Sequence, residues 1–152
     1  MLSQKTRYAL RALLHLAEAE HGRPVAAAEI AERQRVPRKF LEIILLDLKK
    51  AGFVLSRRGP GGGYVLAKPA HAISFADVIR VTDGMIALVP CASINFYAAC
   101  GDCHDEATCA IRRAALVVRD AVVRTLSETT LASAASFELD EARLSTAQER
   151  VA

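Results

Sequence analysis

The sequence predicts a mainly α-helical fold with one small β-hairpin. Three observations predict it: apolar stripes at helical spacing fill the first fifty residues, a glycine run between two β-prone segments follows them, and an apolar repeat at alternating steps of three and four runs from about Glu106 to Glu128. The chain has 152 residues, 52% hydrophobic and 24% charged, which is enough apolar surface for one ordinary core. Intrinsic disorder is excluded over most of the length by that apolar fraction and a net charge of only +3, and a collagen-like or low-complexity chain by Gly 8 and Pro 5.

The first helix spans Ser3 to about Glu20, with Tyr8, Leu10, Leu13, Leu14 and Ala17 on one stripe. Gly22 and Pro24 break it. A second, short helix fits Ala27 to Arg35, with Ile30 and Ala31 inward and no good capping side chain at its start. Pro37 suits the first position of a third helix, where its missing N–H goes unused, and Gly52 suits the left-handed residue past its end. Between them Leu41, Ile44, Leu45 and Leu48 form the packing stripe, while Arg38, Glu42 and Lys49 lie on another face.

Phe53 to Ser56 and Tyr64 to Leu66 are β-prone runs flanking Arg57-Arg58-Gly59-Pro60-Gly61-Gly62-Gly63, a hairpin with a basic, glycine-rich tip. A phosphate-binding loop is the rival for that run. Such loops open a helix and supply Lys-Ser/Thr, whereas this one leads into Tyr64-Val65-Leu66. Ser74 and Asp77 approximate a capping box for a fourth helix, Phe75 to Asp83, ended by Gly84. A cysteine-bearing loop follows from Pro90 to Cys109, and then the long helix, where Ile111, Ala115, Val118, Val122 and Leu126 recur and Ala114, Val117 and Ala121 widen the apolar face. That face exceeds what one small domain needs and suits a homodimer, packing back on its own chain being the alternative. The expected units are a DNA-binding domain over 1–84, a cluster loop over 85–110, a dimerisation helix over 106–131 and a flexible tail over 132–152.

Three short helices and a basic two-stranded hairpin are the element order of a winged helix-turn-helix, in which the third helix enters the major groove. Charge agrees: residues 1–70 carry 13 Lys and Arg against 6 Asp and Glu, a net +7, while residues 71–152 carry 7 against 11, a net −4. Arg38, Lys39 and Glu42 stand near the start of the third helix, where side chains reach bases and phosphates. Gly59 to Gly63, with Gly61 at the centre, let a wing approach the nucleic-acid backbone, and Arg57 and Arg58 beside them suit phosphates or a narrow minor groove. The expected partner is double-stranded DNA.

No window approaches the roughly 18 apolar residues of a membrane span, and the first residues lack a signal peptide's apolar stretch, so a cytoplasmic chain with no membrane partner is expected. Cysteines there stay reduced, which favours metal binding or redox sensing over structural disulfides. Cys91, Cys100, Cys103 and Cys109 form Cys-x8-Cys-x2-Cys-x5-Cys within one loop. Thiolates repel one another, so four together suggest a cation that neutralises them, and both iron-sulfur clusters and structural zinc accept four thiolates. Spacing alone does not choose between them. No nucleophile, base and orienter set is recognisable, which argues against an enzyme.

The sequence resembles the Rrf-type family of bacterial transcriptional regulators, the IscR, NsrR and RirA group. The matching residues are Thr6-Arg7-Tyr8-Ala9-Leu10-Arg11, Ile30-Ala31-Glu32-Arg33, Phe40-Leu41-Glu42, Leu48-Lys49-Lys50-Ala51-Gly52-Phe53-Val54 and the run from Ser56 to Leu66. The resemblance covers residues 1 to 131 and implies a homodimeric winged-helix factor, usually a repressor, on a palindromic operator. It carries DNA contacts to Lys39, Phe40, Glu42 and Arg58. It also implies an iron-sulfur cluster on three cysteines of this loop, matched by Cys91, Cys103 and Cys109.

At the fourth ligand this sequence departs from its relatives. Arg112 stands where the IscR type has a histidine, and Arg7 where the NsrR type has an aspartate; a guanidinium offers no lone pair. Cys100 is the economical fourth ligand, with His104 the alternative. All-thiolate ligation suits a 4Fe-4S cluster, and four cysteines also hold a 2Fe-2S cluster. Beside this reading stand a thiol switch through Cys100 and Cys103 and a zinc-stapled module without sensing. Iron, redox state or nitric oxide is the expected signal.

Overall fold

The computed structural model describes residues 2–19 and 22–136. Helix α1 (Gln4–Glu18) starts at Ser3, whose hydroxyl accepts the Thr6 N–H at 3.1 Å. Helix α2 (Ala27–Gln34) has no side-chain cap, as its sequence foretells, and closes through Arg35 in the left-handed region at φ 51°. Helix α3 (Arg38–Lys50) begins one residue later than expected, because Pro37 is extended at ψ 123° and precedes the helix rather than opening it. Gly52 past its end has φ 75°, a conformation glycine adopts without steric cost.

The core forms where the stripes meet. Leu13 of α1, Ile30 of α2 and Leu41, Ile44, Leu45 and Leu48 of α3 are fully buried, each worth about 1.5–3 kcal/mol relative to exposure. Helix α1 runs through the middle and packs against α2 and α3.

Strands β1 (Val54–Arg57) and β2 (Gly63–Leu66) pair antiparallel, from Val54 opposite Leu66 to Arg57 opposite Gly63. The hairpin is pinned to the segment before α2: the Tyr64 N–H donates to the Val25 carbonyl at 2.8 Å, and the Val25 N–H returns to Tyr64 at 2.9 Å. That pairing needs Gly63. A Cβ there would stand 2.3 Å from the Val25 carbonyl oxygen.

A 3-10 turn (Ala70–Ala72) leads to α4 (Phe75–Thr82), which opens with the expected capping box, Ser74 and Asp77 bonding each other's backbone N–H. A second 3-10 turn (Pro90–Ala92) and an irregular loop precede α5 (Ala110–Glu128). This helix starts four residues after the expected Glu106, because Cys109 caps it, its sulfur accepting the Arg112 N–H at 3.5 Å. The chain then turns back into the core. The Phe75 N–H donates to Thr129 at 2.9 Å, the Leu131 N–H donates to Ile73 at 3.0 Å, and α6 (Leu131–Ala135) packs on α1. Leu131 is fully buried, so residues 132–135 of the expected tail belong to the folded unit; the rest of the tail, 137–152, and Glu20 at the expected end of the first helix lie outside the described residues.

Replacing Gly63 by Ala is expected to cost about 1–3 kcal/mol in urea unfolding, because the new methyl group meets backbone that cannot move aside. Gly101→Ala, with nothing within 4 Å of the added carbon, is the control and should change stability by less than about 0.5 kcal/mol.

Candidate functional site

Helix α3 presents Arg38, Lys39 and Glu42 to solvent near its N-terminus. Arg38 and Glu42 form an i, i+4 pair at 3.0 Å on this exposed surface, which holds both heads in place and contributes little to stability. Phe40 differs from the other expected contacts: it is half-buried, and its ring meets Tyr8 edge-on with centroids 5.9 Å apart. It therefore sets the angle between α3 and α1. Lys5 and Asp47 join the same two helices at 2.8 Å, and Lys49 joins α3 to the hairpin through the Ser56 hydroxyl at 2.6 Å.

The two hairpin arginines differ. Arg57 donates to the Gly22 carbonyl at 3.3 Å, tying the wing to the turn before α2. Arg58 is exposed at the tip, beside Gly61 with φ 72°, and makes no hydrogen bond or ion pair with the described residues. Helix α3 and the hairpin thus leave Arg38, Lys39, Lys49, Lys50 and Arg58 exposed to solvent.

The cysteine loop is built around a half-buried charge pair absent from the sequence-based expectations. Glu106 accepts the Tyr97 hydroxyl at 2.9 Å and the Cys100 N–H at 3.3 Å, and lies 3.6 Å from Arg112. Arg112 donates through Nε to the Cys91 carbonyl at 3.1 Å. Two turns further along α5, Arg119 donates to the Ala92 carbonyl at 2.8 Å while paired with Asp120 at 2.6 Å. Two guanidiniums on α5 therefore grip the turn that carries Cys91.

Cys91 is buried, Cys100 is exposed, and Cys103 and Cys109 are half-buried. Cys103 and Cys109 share a hydrogen bond that splits their acidities. The Cys103 thiol is pushed up to about 11 by that bond, by burial and by repulsion from Cys109 and Cys100. Cys109 is held below the ordinary thiol value by the Arg112 N–H and by the Cys103 thiol. His104 is exposed, and Arg7 on α1 is hydrogen-bonded to Gln4.

Among the described residues no three His, Cys, Asp or Glu side chains converge as a group ready to hold one metal ion. The donor chemistry nevertheless fits an iron-sulfur cluster. Cys109 and Cys100 both act to raise the Cys103 thiol, and a cationic centre would relieve that repulsion. Sequence spacing pointed to the cysteines but not to the support that Glu106, Arg112 and Arg119 give them.

No helix among the described residues is long and apolar enough to cross a membrane. Residues 2–136 match the family model Rrf2, described as an iron-dependent transcriptional regulator. The chain is 52% identical over 116 residues to an rrf2-like HTH-type transcriptional regulator of Rhodobacter capsulatus, covering 74% of this chain and 77% of that one. It is 39% identical over 108 residues to the HTH-type transcriptional regulator IscR of Vibrio campbellii, covering 71% of this chain and 61% of that one. Its backbone is similar to CymR, the global cysteine regulator of B. subtilis, with TM-score 0.75 and 34% identity over 90% of this chain and 97% of that one. With the winged helix-turn-helix geometry, these likenesses establish that the chain belongs to the Rrf2 family of transcriptional regulators.

Proposed function

We propose that this regulator is a cytoplasmic homodimeric repressor that binds a palindromic operator and senses iron, redox state or nitric oxide through an iron-sulfur cluster on Cys91, Cys100, Cys103 and Cys109, with a 4Fe-4S cluster favoured and 2Fe-2S the alternative. The observation that carries this reading is the double arginine grip: Arg112 and Arg119 on α5 hold the carbonyls of Cys91 and Ala92. A change in the cysteine loop is thereby transmitted to α5. When bound, the cluster would supply an inorganic centre whose charge and occupancy follow the signal. The residues do the rest.

Helix α5 supports the dimer. Ile111, Val117, Val118 and Val122 are all exposed along it, an apolar face matching a second copy of itself. A shift of α5 in each protomer would change the separation or tilt of the two α3 helices, and a coupling of about 1–3 kcal/mol changes operator affinity roughly 5- to 150-fold. Two half-sites about one helical turn apart would suit such a pair. Arg38, Lys39, Glu42, Arg57, Arg58 and Gly61 form the proposed DNA surface, with Phe40 acting from behind it.

A thiol switch through Cys100 and Cys103 is the second reading, favoured by the action of both Cys100 and Cys109 on the Cys103 thiol. Two thiols would lose two protons and two electrons to a peroxide and form a disulfide, with no metal involved. A zinc staple is the third, and metal analysis separates it from the others.

Protein purified without oxygen should contain iron and acid-labile sulfide and absorb visible light. Cys-to-Ala changes at all four positions should abolish that absorbance and shift operator affinity by at least about fivefold, while leaving the wing folded. A colourless, iron-free protein with the same operator affinity under every condition would reject the cluster. Arg58→Ala should weaken binding to all duplexes and lower the slope of log affinity against log salt by about 1, as removal of one phosphate contact requires. An unchanged slope would take Arg58 out of the interface.

A further inference from the structure

Helix α3 shows solvent a ridge that its charged residues do not explain. At 3.6 residues per turn, Lys39, Ile43, Leu46 and Lys50 fall on one line along the helix, opposite the buried stripe of Leu41, Ile44, Leu45 and Leu48. Ile43 is 56% exposed and Leu46 49% exposed. A single exposed aliphatic side chain on a soluble protein carries no information. Two of them at the centre of the face that enters the groove, with a lysine at each end, are a different matter.

The major groove offers such side chains one distinctive apolar partner. Among base edges that face it, guanine, cytosine and adenine present hydrogen-bond donors and acceptors, and thymine adds its 5-methyl group. Lys39 and Lys50 match the phosphates that border the groove, and between them Ile43 and Leu46 have no donor or acceptor with which to read any other base. Glu42 and Arg38, paired on the flank of the ridge, leave the two aliphatic side chains uncovered. Resting on the reading of the chain as a sequence-specific DNA binder, we propose that Ile43 and Leu46 are specificity-determining residues that select thymine methyl groups in each operator half-site.

The test isolates the methyl group. An operator is first selected from random duplexes with the full chain, and each thymine in it is then replaced by deoxyuridine, which keeps the base pair and removes only the methyl. One or two positions per half-site should each lose about fourfold in affinity, the effect of uncovering one methyl-sized group. In Ile43→Gln and Leu46→Gln, whose folding is checked by thermal melting, those positions should become insensitive to the replacement, and selection should no longer favour thymine there. A series in which no replacement weakens the wild-type protein overturns the proposal while leaving operator binding intact. So does a sensitivity that persists in both variants. A flat series accompanied by a change in the solution mass of Ile43→Gln would place a protein contact on the ridge instead and would equally overturn it. Selection that enriches no duplex removes the DNA-binding reading and this one together.

Discussion

Helix α1 is the support on which α2, α3, the hairpin and α4 are assembled. Ala9 and Ala12 are fully buried and present only methyl groups, which lets neighbouring helices approach closely, and Leu13 fills the space between them. Helix α1 packs against α2, α3 and β2, and also against α4 and α6. Its N-terminus is fixed with equal care. Thr6 is fully buried, with its hydroxyl against that of Thr82, and Ser3 caps the helix while donating to the Asp83 carboxylate. A buried hydroxyl left without a partner would cost about 1–3 kcal/mol, so these bonds tie the start of α1 firmly to the end of α4. Helix α3 and helix α4, which leads to the cysteine loop, therefore share one support.

Local signals made most of this fold legible in the sequence. The stripe Leu41, Ile44, Leu45 and Leu48 proved to be the buried face of α3, and the glycine run proved to be a hairpin tip, because periodicity and turn chemistry act over a few residues. What was missed depends on contacts distant in sequence. Helix α6 is only five residues long and would not persist alone; its Thr130–Ser133 capping box is a signal, but its stability comes from Leu131 in the core and from the Ile73 carbonyl. Phe40 lies beside the buried stripe, and only the position of Tyr8 decides that its ring is used for packing.

The candidate site was legible in its sulfur and illegible in its support. Four cysteines within nineteen residues announce themselves by clustering. Glu106 and Arg112 do not, since a carboxylate and a guanidinium in a polar loop resemble any solvated charges. The fold makes them a half-buried pair whose remaining hydrogen-bonding capacity is taken by Tyr97, Cys100 and the Cys91 carbonyl. Such a pair contributes to stability only when those additional bonds are made, and here they are. Arg112 is the member of the pair that belongs to α5. It cannot donate electrons to a metal, yet it holds the backbone of one cysteine against the helix that begins at another.

That arrangement decides how much negative charge the loop can hold by itself. The first turn of α5 offers the Cys109 sulfur an N–H and the positive end of a helix dipole, and this favours one thiolate. Cys103, facing that charge, is pushed up to about 11 and keeps its proton at neutral pH. Among the described residues no other helix is capped by a cysteine sulfur, and Arg112 is committed through Nε to the Cys91 carbonyl and faces Glu106. A positive centre bound there would stabilise each further thiolate. Were a cation bound, charge that repels the sulfurs from one another would hold them together, and Arg112 and Arg119 stand between that loop and α5.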